Sequence, residues 1–247
     1  MEEWFDDPAF WSELYPFLFS DEKFERAGSE IERVIALTGI QGGAVLDLCC
    51  GPGRHSVALA GRGFSVTGVD KTAYLLQKAR EHAEAEKVAI EFVQQDMRDF
   101  IRPGAFDLAI NMFTAFGYFD DKKEDLKVLD NLYVSLRPGG ALLMEMAGKE
   151  WLAKVYQPTT SHDLPGGAVL VQRHQVFDEW SRIRNRWILI REGQARTFEF
   201  HHTIYSGQEL RERLLKTGFA EVRLFGDLEG TEYGLEATRL VALARKA

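Results

Sequence analysis

Apolar runs alternate with helix-like patterns between residues 44 and 146. The runs predict strands at 44–48, 64–69, 90–94, 106–111 and 141–146. Apolar residues at helical spacing predict helices between most of them, including one over 72–85 and one that Asp121 caps. Ser29 and Glu32 form a capping-box pattern that predicts a further helix starting there. Such alternation indicates a mainly parallel sheet with helices on both faces.

The pattern changes after Met146. Three extended runs, 168–177, 182–192 and 195–204, are rich in Val, Ile, Phe and Trp and are joined by short links. They predict an antiparallel meander inserted into the α/β unit, with a loop at 157–167 leading into it. Ser206 and Glu209 then form another capping box, which predicts a helix over 208–217. The runs 219–225 and 237–244 predict two closing strands.

The first 28 residues are aromatic and acidic. They are expected to form a helical N-terminal arm, either packed on the domain or serving as a lid over an active site. A single domain over 1–247 then divides into this arm (1–28), a core (29–147), the antiparallel insert (148–205) and a closing helix with a β-hairpin (206–247).

Composition narrows the functional classes. The chain has 247 residues and a formal net charge of −8, and it lacks the broad positive field of nucleic-acid binders. Its two cysteines, Cys49 and Cys50, are adjacent, so they neither staple a fold nor supply a metal site. No signal peptide and no membrane-spanning stretch is visible. We expect a soluble, cytoplasmic protein with reduced thiols, no bound metal and no nucleic-acid or membrane partner.

Candidate chemistry gathers at the predicted strand ends. Right-handed crossovers bring the carboxyl ends of parallel strands to one edge of the sheet, where open α/β sheets bind ligands. Acidic and amide residues lie at or just past these ends, namely Asp47, Asp70, Asp96, Asn111 and Glu145. The turn after the first strand carries Gly51 and Gly53, which let backbone approach a ligand closely.

These residues resemble a known family. The stretch from Val45 to Ser56 resembles the first motif of class I S-adenosylmethionine-dependent methyltransferases, an acidic residue followed by G-x-G. The runs 66–70, 95–97 and 106–119 are similar to the next three motifs, and 136–140 to the turn before strand five. The resemblance covers roughly 30–245 and is nearest to a small-molecule branch that includes aminosugar N-methyltransferases and glycine N-methyltransferase-like enzymes. It implies a Rossmann-like, mostly parallel seven-stranded sheet with helices on both faces and a small antiparallel β insert after strand five.

Three other functions are weighed against this one. A nicotinamide-dependent oxidoreductase also places an acid near Asp70, but its G-x-G-x-x-G fingerprint requires glycine where this chain has Ser56. A methyltransferase acting on protein or RNA is disfavoured by the acidic balance. A cofactor-binding module without transferase activity would lack an open acceptor pocket near residues 112–118.

The resemblance implies S-adenosyl-L-methionine as cofactor, with S-adenosyl-L-homocysteine as product. Asp70 would accept from the ribose hydroxyls and Asp96 from the adenine amino group, although Asp47, Asp70 and Asp96 can also be read as turn or helix caps. The implied cofactor-binding residues are Tyr15, Asp47, Cys49, Gly51, Gly53, Asp70, Lys71, Asp96, Met97, Asn111 and Phe113.

The acceptor is expected to be a small molecule, methylated on nitrogen or oxygen by in-line displacement. Tyr118 occupies the position of a histidine in the aminosugar enzymes and is the catalytic candidate. Strand alternation puts His201 and His202 on opposite faces, so at most one of them faces a given pocket. The expected substrate-pocket residues are Tyr15, Tyr118, His174 and His201, and the insert is a candidate surface for a homodimer.

Overall fold

The computed structural model describes residues 3–247, and Met1 and Glu2 of the predicted arm lie outside the described residues. It contains strands β1 (Ala44–Leu48), β2 (Ser65–Asp70), β3 (Glu91–Gln94), β4 (Phe106–Asn111), β5 (Leu136–Met146), β6 (Thr159–Asp163), β7 (Val169–Phe177), β8 (Arg182–Arg191), β9 (Gln194–Thr203), β10 (Glu221–Phe225) and β11 (Leu240–Arg245). One sheet has the order β10-β11-β5-β4-β1-β2-β3. Its strands β1 to β5 are parallel, and β11 runs antiparallel to both neighbours. The predicted α/β fold is confirmed.

Helices cover both faces of this sheet. They are α1 (Pro8–Leu18), α2 (Asp21–Thr38), α3 (Arg54–Ala60), α4 (Ala73–Ala85), α5 (Lys122–Ser135), α6 (Lys149–Val155) and α7 (Gly207–Thr217), preceded by a short 3-10 helix, Trp4–Asp6. One core cluster contains Leu129 of α5 and Leu210 of α7, whereas another contains Ile31 of α2 and Leu59 of α3. The predicted caps form, since the Asp121 side chain accepts from the amide of Lys123 and Ser206 completes a capping box with Glu209.

The insert is a second, antiparallel sheet with the order β6-β7-β8-β9. Its inner face shares a hydrophobic cluster with the N-terminal arm, in which Phe10 and Leu14 of α1 are buried with Leu170, Leu189 and Phe198. The arm therefore packs against the insert. No helix within residues 3–247 is long and apolar enough to cross a membrane.

The helix predicted to start at Ser29 is wrong in its boundary. The observed helix begins at Asp21 with Ser20 as N-cap, and the Ser29 hydroxyl donates to the carbonyl of Arg26 inside it. Acidic residues at Asp21 and Glu22 favour the earlier start because they complement the helix dipole. The division at 28/29 between arm and core therefore falls inside one helix.

Two further segments differ from the sequence prediction. The loop predicted at 157–167 contains β6, whose polar residues gave no strand pattern because it is an exposed edge paired with β7 alone. The turn that the resemblance implies at 136–140 lies within β5. There the amide of Gly139 donates to the carbonyl of Lys246, and the amide of Lys246 donates to the carbonyl of Gly140.

Candidate active site

A cavity of about 390 Å³ lies at the carboxyl edge of the large sheet. It falls within the size range of small-molecule sites. Nine residues predicted for the site line it, and they are Asp47, Cys49, Gly51, Asp70, Lys71, Asp96, Met97, Phe113 and Tyr118. Five others do not line it, and they are Tyr15, Gly53, Asn111, His174 and His201.

The turn after β1 forms one wall of the cavity. Cys49, Gly51 and Gly53 all have positive φ, which is strained for a cysteine and ordinary for glycine. A Cβ on Gly51 would point toward the ring of Phe19, 3.5 Å away on the cavity lining, whereas one on Gly53 would come within 2.9 Å of the Cβ of Ala79. Gly53 is thus required by the packing of the turn on α4, and Gly51 keeps the cavity open.

Asp70 ties β2 to this turn. Its Oδ2 accepts from the amide of Gly51 and its Oδ1 from the amide of Thr72, both at 2.9 Å. Burial raises the pKa of Asp70, although the two amides counteract that rise. A carboxylate offers about four acceptor positions, so each oxygen retains capacity toward the cavity.

Asp47 at the end of β1 is buried, and its Oδ2 accepts from the hydroxyl of Ser56 at 2.6 Å. Burial raises the pKa of Asp47, while nearby His55 and the Ser56 hydroxyl oppose the rise. Ser56 therefore supports Asp47 at the head of the turn. In a dinucleotide fingerprint the position of Ser56 is occupied by glycine.

A buried ionic cluster beside Asp47 was missed by the sequence reasoning. Glu30 Oε2 accepts from Arg54 at 3.0 Å and lies 2.8 Å from Nε2 of His55. Arg54 and His55 line the cavity, and the guanidinium of Arg54 stacks over the ring of Phe113 at 3.5 Å. Burial would raise the pKa of Glu30, but His55 and Arg54 outweigh it and hold that pKa below its usual value. The available signal was a glutamate on the apolar face of α2, beside Ala27 and Ile31.

The start of the arm is fixed by ion pairs at the ends of β2 and β3. Arg98 pairs with Asp96 at 2.6 Å and with Glu3 at 2.8 Å, while Lys71 reaches Asp6 at 2.9 Å and lies 4.4 Å from the ring of Phe5. Burial opposes ionisation of Asp96, but Arg98 outweighs it and lowers the pKa. Asp96, the residue implied for adenine binding, and its neighbour Lys71 thus belong to the ionic network that anchors the start of the arm.

A strained turn follows β4. Phe113 and Thr114 both have positive φ, and their amides donate to the carboxylate and the carbonyl of Glu145, respectively. Arg239 pairs with Glu145 and donates to the Thr114 hydroxyl. Asn111 lies behind this wall, where its Nδ2 donates to the carbonyl of Leu48 at 3.0 Å and ties β4 to β1.

The remaining wall is aromatic and comes from the arm, the insert and Tyr118. Trp4 contacts Tyr118 with ring centroids 5.2 Å apart, and Tyr118 contacts His202 at 5.0 Å. Burial raises the pKa of Tyr118 and lowers that of His202 to about 4, so both are neutral at physiological pH. We name this part of the cavity the aromatic half, and its residues are Trp4, Phe10, Trp11, Tyr118, Asn185, Trp187, Phe200 and His202.

The structure corrects three expected pocket positions. His201 points away and lies 2.7 Å from Asp120, so the adjacent His202 takes the cavity face, as strand alternation requires. His174 lies outside the cavity lining, beside Asn185 on the same face of the insert, and its Nδ1 is 2.8 Å from Oδ1 of Asn185. Tyr15 packs against Phe19 and Tyr74 instead of lining the cavity, because its position on α1 faces α4.

Comparison with known proteins decides the family. A model of the methyltransferase domain matches residues 45–140. The protein YqeM of Bacillus subtilis, assigned as a methyltransferase, is 30% identical over 210 residues, which cover 83% of this chain and 85% of YqeM. The chain belongs to the S-adenosylmethionine-dependent methyltransferase family. Membership leaves the nicotinamide-dependent oxidoreductase without support.

Solved structures share the fold of this methyltransferase. An S-adenosylmethionine-dependent methyltransferase from Clostridium acetobutylicum superposes with a TM-score of 0.79 at 15% identity, covering 96% of this chain and 98% of the other. The sugar N-methyltransferase KedS8 from a Streptoalloteichus species superposes with a TM-score of 0.71 at 18% identity, covering 93% and 90%. At such identities the likeness concerns the fold alone.

Proposed function

We propose that this methyltransferase transfers a methyl group from S-adenosylmethionine to nitrogen or oxygen of a small-molecule acceptor held in the aromatic half. One observation carries the proposal. A single cavity is lined both by family-motif residues such as Gly51 and Asp70 and by insert residues such as Asn185 and His202. A module that only bound the cofactor would not need the part of the lining that the insert contributes.

The residues present fit the cofactor. The free acceptor positions of Asp70 suit the two hydroxyls of a ribose, and the open space beside Gly51 suits close passage of the methionine chain. The guanidinium of Arg54 offers a cation for the methionine carboxylate, while Asp47 suits its ammonium group. Met97 and Lys71 flank the expected adenine and ribose positions. Tyr15, Gly53 and Asn111 are proposed to act through the packing of the wall, since they do not line the cavity.

The protein's part in the reaction is alignment and exclusion of water. Bound S-adenosylmethionine would supply a methyl group on a sulfonium, and an acceptor lone pair would displace the sulfur, which would keep the electron pair of the C–S bond. The acceptor's proton then passes to water. Because Tyr118 and His202 are neutral, they contribute hydrogen bonds to the nucleophile, and the surrounding rings replace its hydration. The strained turn at Phe113 and Thr114 fixes the part of the cavity wall that these two residues form.

A small acceptor is supported over a macromolecular one. The net charge of −8 opposes RNA, and Trp4 and Phe10 of the arm close over the insert. The solved structures that share this fold include the sugar N-methyltransferase KedS8, and this likeness supports a small acceptor. A homodimer through the insert stays a prediction, and sedimentation of the purified chain tests it.

The test is transfer of labelled methyl groups from S-adenosylmethionine to three acceptor pools, which are a library of small amines and phenols, total RNA and total protein. Label in the small-molecule pool is expected, and label confined to RNA or protein contradicts the proposal. With an acceptor from that pool, Tyr118→Phe is expected to lower turnover while S-adenosylhomocysteine affinity stays unchanged. Full activity of the variant would make Tyr118 a wall residue only.

A further inference from the structure

The aromatic half carries no ionic side chain. Its rings come from Trp4, Phe10 and Trp11 on one side and Trp187 and Phe200 on the other. Within residues 3–247, the charged residues that line the cavity come from outside this group, and they are Lys23, Asp47, Arg54, Asp70, Lys71 and Asp96. A charged acceptor would therefore lose its hydration against rings without meeting a counter-charge.

Polar groups on the insert face of the aromatic half can orient a bound ligand. Asn185 and His202 project from β8 and β9 to the same face, because Asn185 pairs with Phe200 and His202 with Ile183 in the strand register. The Asn185 side chain is buried, and its Nδ2 has no partner in the described chain. Nδ1 of His202 and Nε1 of Trp187 also have no partner there. Unpaired polar atoms that share one face of a binding cavity indicate a ligand that completes their hydrogen bonds.

His174 sets the orientation of the Asn185 amide. Its Nδ1 lies 2.8 Å from Oδ1 of Asn185, directly across the β7–β8 ladder. Because a carboxamide oxygen only accepts, His174 donates, and the N–H groups of Asn185 stay free for a ligand. Thus His174 is a positioning residue, beside Asn185 on the same face of the insert but outside the cavity lining.

Resting on the proposed function, we infer that the acceptor is an uncharged ring compound whose oxygen accepts a hydrogen bond from Asn185, held in orientation by His174. The rings of the aromatic half stack on a flat or ring-shaped body, and the donors of the insert face meet an oxygen beside the atom that is methylated. His202 does not compensate a carboxylate because its pKa is lowered to about 4 and its ring stays neutral. An acceptor carboxylate would therefore meet no cationic side chain among the residues of the aromatic half.

The test is calorimetric titration of the enzyme loaded with S-adenosylhomocysteine, using three size-matched phenols. Catechol is uncharged, salicylate is an anion and 2-hydroxybenzylamine is a cation at neutral pH. Catechol is expected to bind about tenfold or more tightly than either charged probe, since burying an unpaired charge costs more than burying a hydrogen-bonded hydroxyl. Equal or tighter binding of salicylate, or binding of none of the three, overturns the inference.

Variants assign the effect to the proposed residues. Asn185→Leu is expected to weaken catechol about tenfold, because its oxygen loses the donor. Asn185→Asp should change the binding preference from catechol to 2-hydroxybenzylamine. His174→Ala should weaken catechol binding, and the double variant with Asn185→Leu should bind catechol no more weakly than Asn185→Leu alone. The control is Arg186→Gln on the outer face of β8, which should change nothing.

Binding of S-adenosylhomocysteine distinguishes a failure of the proposed function from a failure of the inference about the acceptor. Each variant is first shown to bind it as the parent does, which also shows that the variant is folded. Failure of the parent to bind it contradicts the proposed function. Normal binding together with an unchanged probe preference in Asn185→Asp contradicts the inference about the acceptor alone.

Discussion

The hydroxyl of Ser56 lies 2.6 Å from Oδ2 of Asp47, and both residues are buried at the head of the glycine turn. Ser56 of α3 thus supports the acid near the carboxyl end of β1. A glycine at position 56, as a dinucleotide site requires, would leave this carboxylate without its hydroxyl donor. The contact distinguishes this turn from one built around a pyrophosphate.

Removal of the hydroxyl should therefore be costly. Ser56→Ala is expected to lower the free energy of unfolding by about 1–3 kcal/mol, because a buried acceptor loses its donor. Urea denaturation at neutral pH measures the change. Ser65→Ala, at an exposed position at the start of β2, is the control and should be nearly neutral. Equal stability of the two variants would show that Asp47 does not depend on Ser56.

Alanine substitutions at the two glycines of the turn should have different effects, one on stability and the other on cofactor binding. Gly53→Ala places a Cβ 2.9 Å from that of Ala79, so it should lower the unfolding free energy by about 1–3 kcal/mol more than Gly51→Ala through overpacking. Gly51→Ala meets only ordinary contacts with Phe19 but extends into the cavity, so it should mainly weaken S-adenosylhomocysteine binding. Thermal unfolding and calorimetry measure the two effects. A reversal of the two phenotypes would contradict the roles given to Gly51 and Gly53.

Glu30 holds two buried partners, the guanidinium of Arg54 and the imidazole of His55. Glu30→Ala should lower the free energy of unfolding by about 3–5 kcal/mol, since it leaves Arg54 buried without its carboxylate. Glu32→Ala on the same helix is the matched control. Its pair with Arg62 is 69% exposed at the glutamate, so a change of about 0–1 kcal/mol is expected. Similar losses in both variants would mean that the Glu30 cluster is not an energetic unit.

Asp125 should make stability depend on pH. Burial raises its pKa to about 6, against the opposing hydrogen bond from Tyr205. Because the folded state holds this proton more tightly than the unfolded state, the contribution of Asp125 to the free energy of unfolding is largest below pH 3.8. It declines by about 3 kcal/mol as the pH rises from 3.8 to about 6. Asp125→Asn should remove that decline. Urea denaturation between pH 4 and 7 measures it, with the exposed Asp130→Asn on the same helix as control. Parallel curves for Asp125→Asn and the parent would contradict the shift.

The fold was largely predictable because each core element has a local signature. The apolar runs ending at Asp47 and Asp70, and the caps at Asp121 and Ser206, depend only on near neighbours in sequence. The exposed strand β6 and the start of α2 were missed. Polar edge residues carry little periodicity, and a helix start is blurred when several residues can cap it.

The site was predictable only where motif and strand end coincide. Asp70 and Gly51 follow directly from strand and turn positions. The burial of Glu30 with Arg54 depends on α2 packing against α3, and the choice of His202 over His201 depends on which face of the insert meets the arm. Both are long-range relationships that no local pattern in the chain encodes.

The central claim is that this cavity binds S-adenosylmethionine and its product through the motif residues. Calorimetric titration of S-adenosylhomocysteine into the parent and into Asp70→Ala tests it most directly. The parent should bind S-adenosylhomocysteine and not NAD, and Asp70→Ala should weaken binding by about 1–3 kcal/mol, the cost of unpaired ribose hydroxyls. Binding of NAD instead, or unchanged affinity in a folded Asp70→Ala variant, would contradict the account.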